Sequence, residues 1–110
     1  MRYCFDIDGT ICDTPMTDDP RFPGYLTAEP RRKVIEKINE LYDEGHYIIL
    51  QTARGSKSGI DWGDLTLSQL DDWGLKYHHL MPMFSKPDAD IFIDDKGLNA
   101  YDWIGKEGLQ

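Results

Sequence analysis

Apolar positions along the chain switch between two periods, and the switches mark the elements. Arg2 to Ile7 (RYCFDI) reads as a strand entering a core. From Asp13 to Glu29 the chain is crowded with Pro, Asp and Thr, which predicts loop with a turn or hairpin. Pro30 to Glu44 (PRRKVIEKINELYDE) then places Val34, Ile35, Ile38, Leu41 and Tyr42 on one helical stripe. Thr27 is a candidate N-cap, and Gly45 supplies the stop. HYIILQT follows as a continuous apolar run, the mark of a strand buried on both faces. ARGSKSGIDWGD is a Gly- and Ser-rich loop. Thr66 to Trp73 reads as a shorter helix, with Thr66 and Gln69 as a capping box and Gly74 at its end. YHHLM and DADIFIDD are two further short strands, and Asn99 to Ile104 closes with a helical turn or two. No repeat, low-complexity tract or linker interrupts this order.

Alternation of strands and helices implies a mostly parallel sheet with right-handed crossovers. The expected architecture is therefore α/β: a Rossmann-like, three-layer α/β/α sandwich, with residues 1–110 as a single domain. In such sheets ligands bind beyond the carboxyl ends of the strands, near the point where the winding reverses. Asp6 and Asp8 end the first strand, Thr52 the second, and Asp94 and Asp95 the fourth, so these polar groups should meet at one rim.

Composition narrows the chemistry. A chain of 110 residues, 40% hydrophobic and 12% aromatic, can bury one core without metal or disulfide staples. The balance of 20 acidic against 12 basic residues, net −8, disfavours a general nucleic-acid binder. It leaves phosphorylated small molecules open, because a bound divalent cation reverses the local field. No apolar run approaches a membrane span and the start lacks a signal-peptide pattern, so the expected location is the cytoplasm. Cys4 and Cys12 are too few for a disulfide framework or a four-thiolate zinc site, and are expected as reduced thiols.

The short stretch FDIDGT is the oddity within this scheme. Asp6 and Asp8, two residues apart in extended chain, point to one side, where their charges repel. With Asp94 and Asp95 added, a cation is required, and an all-oxygen set selects a hard ion, best Mg2+ with a substrate phosphate. Thr52 offers a hydroxyl and Lys86 an ammonium, completing a phosphate cradle. A carboxylate can also attack phosphorus and form an aspartyl-phosphate.

DIDGT, a strand ending in Thr52, Lys86 in FSKPD, and IDD together resemble the four-motif set of the haloacid-dehalogenase-like phosphohydrolases. The motifs span residues 6 to 95, and the TAR after strand two and KP before the last strand are similar to short members linked to capsule or polysaccharide synthesis. The resemblance implies Asp6 as nucleophile and metal ligand. It implies Asp8 as general acid and base, with its backbone carbonyl on the metal. Thr52 and Lys86 would hold the phosphoryl group, Asp95 would bind Mg2+ directly, and Asp94 directly or through water. Gly9, Thr10, Ala53, Arg54 and Lys57 are the implied substrate contacts, although Arg54 could equally pair with a surface acid.

The family commonly inserts a cap domain, for which neither Thr10 to Pro30 nor Met81 to Lys86 leaves room, so the resemblance is to a capless member. The expected activity is a Mg2+-dependent phosphomonoesterase acting on a small phosphorylated metabolite such as a sugar phosphate. A nucleotide or nucleic-acid-end phosphatase is the alternative, and a non-catalytic binding or regulatory module the alternative of another class. A nucleotide-sugar transferase with a DxD motif would leave Gly9, Thr10 and Lys86 unexplained. An open rim also suggests a homo-oligomer, with Phe22, Tyr25, Trp62, Met83 and Phe84 as contact candidates. Arg31, Arg32 and Lys33, in a first helical turn, either steer anions or form a solvated face. Trp62 is a packing or leaving-group candidate, Lys96 tempers the acidic rim, and His46, His78 and His79 are expected as surface histidines.

Overall fold

A computed structural model describes residues 1–17, 24–56, 58–82 and 85–109. It is an α/β structure around a four-stranded, wholly parallel sheet. Strand β1 is Arg2–Asp6, and β2 (Cys12–Asp13) and β3 (Glu29–Pro30) form a separate antiparallel ribbon. Helix α1 (Arg32–Asp43) leads to β4 (Tyr47–Gln51), and α2 (Gly63–Asp72) to β5 (His79–Leu80). Strand β6 (Ile91–Ile93) precedes α3 (Ala100–Glu107). The strand order is β5-β4-β1-β6, with β1 pairing β4 from Arg2↔Tyr47 to Asp6↔Gln51 and β6 from Tyr3↔Ile91 to Phe5↔Ile93. The winding runs outward from β1 through β4 to β5, then returns to β6 on the other side. The reversal therefore falls beside β1, where the motif carboxylates end the strand.

The core sits on one face of the sheet. Phe5, Ile7, Ile48 and Leu50 pack against Ile35 and Ile38 of α1 and against Leu70 and Trp73 at the end of α2. The two crossovers from β1 to β4 and from β4 to β5 step in the same direction, so crossovers of one hand bring both helices to one face. On the opposite face Cys4 and Ile49 are also buried, so β4 carries the two-sided burial expected of HYIILQT. At the β6 edge burial gives out, and Phe92 and Ile93 are exposed. Among the described residues, no helix is long and apolar enough to cross a membrane.

Several boundaries differ from the sequence expectation. Helix α1 starts at Arg32 and not Pro30, because Pro30 pairs with Cys12 in the ribbon and Arg31 N donates to the Ile11 carbonyl at 2.8 Å. Thr27 caps nothing; it ends a 3-10 turn, Gly24–Thr27, within the segment expected as loop. Helix α2 begins three residues before the expected Thr66. The Asp61 carboxylate accepts from Gly63 N at 2.8 Å, and buried Thr66 donates its hydroxyl to the Trp62 carbonyl at 2.8 Å from inside the helix. Strands β5 and β6 are shorter than the apolar runs that announced them. Helix α3 extends to Glu107, with Asn99 Oδ1 capping Tyr101 N at 2.9 Å, yet none of its side chains is buried.

Candidate active site

The loop after β1 is a tight turn closed on one carbonyl. Ile7 O accepts from Thr10 N (3.2 Å), Ile11 N (2.9 Å) and Cys12 N (3.3 Å), while Gly9 N donates to Cys12 O at 2.8 Å. Gly9 has φ +86°, the left-handed region that favours glycine. A side chain there would also run into the Asp95 carboxylate, so the missing Cβ lets the loops after β1 and β6 meet. Arg31 grips this turn from outside: Nη1 donates to Gly9 O at 2.6 Å, and Nε and Nη2 pair with Asp13. Arg32 donates to Trp73 O at 2.8 Å. These two side chains of the basic run are thus engaged in holding the fold and are not free to steer anions.

At the carboxyl ends of β1, β4 and β6 lies a cleft of about 440 Å³, lined by Asp6, Gln51, Thr52, Ala53, Ser56, Asp94, Asp95 and Lys96. Three of the four predicted carboxylates share it with Thr52. Burial pushes the Asp6 carboxyl up to about 6, reinforced by the charges of Asp95, Asp8 and Asp94 and opposed by a hydrogen bond from the Ile7 backbone. Asp94 turns Oδ1 back on its own loop, accepting from Lys96 N at 2.9 Å and from Gly97 N. Thr52 Oγ1 accepts from Arg54 N at 3.1 Å. Gln51 and Ser56 were not singled out in the sequence. Gln51 ties the cleft to the chain before β6 by donating to Ser85 O at 3.0 Å.

Asp8 does not line the cleft. Its carboxylate is turned to Arg54, which donates from Nε to Oδ2 and from Nη2 to Oδ1, both at 2.9 Å, while Thr14 donates to Oδ1. Burial works against the charged form of Asp8. The hydrogen bonds of Arg54 and Thr14 and the guanidinium charge outweigh it and hold the carboxyl below its ordinary range. Arg54 is therefore a buried partner of a motif acid; it neither lines the cleft nor pairs with a surface acid as the sequence suggested. Thr10 is buried as well, and its hydroxyl has no hydrogen-bond partner among the described residues. Lys86 is exposed and is not among the residues lining the cleft, although its neighbour Ser85 is anchored at the rim. Lys57, Phe22, Met83 and Phe84 lie outside the described residues. Tyr25 and Trp62 pack edge to face at 5.5 Å, so both rings are already engaged with one another.

Among the described residues no three acidic, histidine or cysteine side chains form a ready-made cation site. The chemistry of the donor set nevertheless fits a hard divalent ion. Asp6, Asp94 and Asp95 offer only oxygens, and the Asp6 carboxyl, raised first by burial and further by the charges of Asp95, Asp8 and Asp94, would be relieved by a cation. Cys4 and Cys12 are free thiols, both buried, and burial with the nearby Asp6 and Asp94 charges pushes Cys4 up to about 11. Neither is set up as a thiolate ligand or nucleophile.

No family model and no curated protein matches the chain. A crystal structure of a target protein from Vibrio cholerae is similar in fold. It has a TM-score of 0.62 at 24% identity, over 94% of this chain and 87% of that one. The shared property is the α/β architecture.

Proposed function

We propose that this chain is a Mg2+-dependent phosphomonoesterase of the haloacid-dehalogenase-like type. Its α/β/α layering and capless outline would follow that family, and its substrate would be a small phosphorylated metabolite such as a sugar phosphate. One observation carries this: Asp6, Thr52, Asp94 and Asp95, from the ends of three separate strands, line a single cleft at the winding reversal. Two buried free thiols suit a reducing compartment such as the cytoplasm.

In this mechanism an Asp6 oxygen attacks phosphorus. A P–O bond to the carboxylate forms as the bond to the departing alcohol breaks. Asp8, ionised beside Arg54 and outside the cleft here, would have to turn toward it and take up a proton before giving one to the alcohol, and would later take one from the water that releases phosphate. Thr52 steadies the phosphoryl oxygens, and Lys86 would have to swing over the rim to join it. Asp6, Asp94, Asp95 and the Asp8 carbonyl would hold Mg2+, which when bound offsets the charge of carboxylates and phosphate.

Asp8→Asn separates the two carboxylates. A positioned acid–base contributes about 10²–10⁴-fold, so alkyl-phosphate turnover should collapse by that factor. An aryl phosphate, whose leaving group needs little protonation, should still give a burst and then stall. Asp6→Asn should give neither burst nor turnover, and excess chelator should silence the parent. Parent-level alkyl-phosphate hydrolysis by Asp8→Asn would overturn the assignment.

A further inference from the structure

Three carboxylates line the cleft, and an anionic ester has to enter it. Most basic side chains of the surrounding loops are committed elsewhere. Arg54 is held by Asp8, Arg31 by Asp13 and the Gly9 carbonyl, and Lys86 stands exposed outside the cleft. Among the described residues Lys96 alone of the basic ones lines the cleft, with Asp6, Asp94 and Asp95. Two carboxylates directly precede it in the chain, yet among the described residues its ammonium has neither ion pair nor hydrogen bond. The loop after β6 fixes the backbone from which this side chain leaves. Asp94 Oδ1 accepts from Lys96 N at 2.9 Å and from Gly97 N, closing a turn. A Cβ at residue 97 would stand 2.9 Å from that same oxygen, so glycine lets the turn close. The turn engages only the Lys96 backbone.

We propose that Lys96 is a substrate-binding residue whose ammonium meets the phosphoryl oxygens within the cleft. This inference rests on the phosphatase reading. Charge balance asks for such a group. One divalent ion offsets two of the three lining carboxylates, and a phosphate monoester brings about two further negative charges. Thr52 and Ser56, on the same wall, offer only neutral hydroxyls. Lys96 adds a positive charge there, with three donors on a flexible stem that can follow the oxygens. The motif lysine, Lys86, has a rim to cross, whereas Lys96 is already part of the cleft wall.

A lysine that merely tempers repulsion among the acids would sit in the same place, and phosphate affinity separates the two. Lys96→Gln removes the charge and keeps the backbone turn. In calorimetric titration with inorganic phosphate at saturating Mg2+, this variant should bind about 10-fold more weakly than the parent. KM for an alkyl phosphate should rise by a similar factor with kcat unchanged, because the contact is made before the chemistry. Lys96→Arg should recover most of both losses. Lys106→Gln, which removes one charge from α3 outside the cleft, should match the parent. Unchanged phosphate affinity in Lys96→Gln, whether or not Mg2+ then binds more tightly, would overturn the proposal and leave the phosphatase reading intact. Equal losses in Lys106→Gln would show a general charge effect, and a Lys96→Arg as weak as Lys96→Gln would show that loop shape and not charge matters; either result sinks the contact. A parent that neither binds phosphate nor hydrolyses an ester would remove the phosphatase reading and this inference together.

Discussion

Without a cation, the Asp6 carboxyl sits at about 6 because burial and the Asp95, Asp8 and Asp94 charges disfavour its ionised form. Linkage sets the sign of the consequence. Near pH 4 and below, folded and unfolded chains both approach the protonated form, and Asp6 costs little. As pH rises toward 6 the unfolded chain releases its proton first, so stability falls, and above that range the full penalty stands. In chelator, Asp6→Asn should therefore be more stable than the parent at pH 8, by on the order of 1–3 kcal/mol. The advantage should shrink toward pH 4, as read by thermal melts at both values. Parallel curves would show that the cleft does not strain this carboxyl.

Among the elements, the short β5 depends on His78, a histidine that is exposed as expected and yet bonds back to the sheet. His78 N donates to Ile48 O at 2.9 Å, and Ile48 N donates back to the His78 ring Nδ1 at 3.0 Å. A ring nitrogen thus replaces the carbonyl that a longer strand would have supplied to β4. Tyr42 and Tyr47 stack on the same imidazole, each at 4.5 Å between centroids. His78→Ala leaves the buried Ile48 amide without its acceptor and removes both stacks. A loss of about 1–2 kcal/mol is expected in urea unfolding, and His78→Gln, which can present an acceptor, should recover part of it. A neutral His78→Ala would mean that water takes over at the sheet edge.

Across the whole molecule, burial is uneven. Strand β1 lies between β4 and β6, and the buried core gathers around β1, β4, α1 and α2, whereas α3 buries no side chain and β6 has an open edge. Local opening follows buried contact, so hydrogen exchange should be graded. Amides of Cys4–Asp6 and Ile48–Leu50 should exchange only through global unfolding, and those of α3 at far lower protection. Mass-spectrometric exchange under native conditions checks this, and equal protection across both regions would mean that the exposed aromatics of α3, Tyr101 and Trp103, are covered by something in solution.

By itself the sequence determined the alternation of elements, the two-sided burial of β4 and the positions of Asp6, Thr52, Asp94 and Asp95 at strand ends. These are local or periodic properties: apolar runs must be buried, and acids that cannot be buried stop strands. The tertiary structure alone decided the partners. The Asp8–Arg54 fork joins residues 46 apart, and the Arg31 hold on Gly9 joins residues 22 apart. Spacing shows where a side chain sits along its own element, but pairing depends on which loops the crossovers bring together. For the same reason the helix starts moved from Pro30 to Arg32 and from Thr66 to Gly63. Pro30 was claimed by a ribbon with Cys12, and Asp61 reached Gly63 before Thr66 could act as a cap. Propensity set the candidates, and hydrogen bonds available only in the folded chain chose among them.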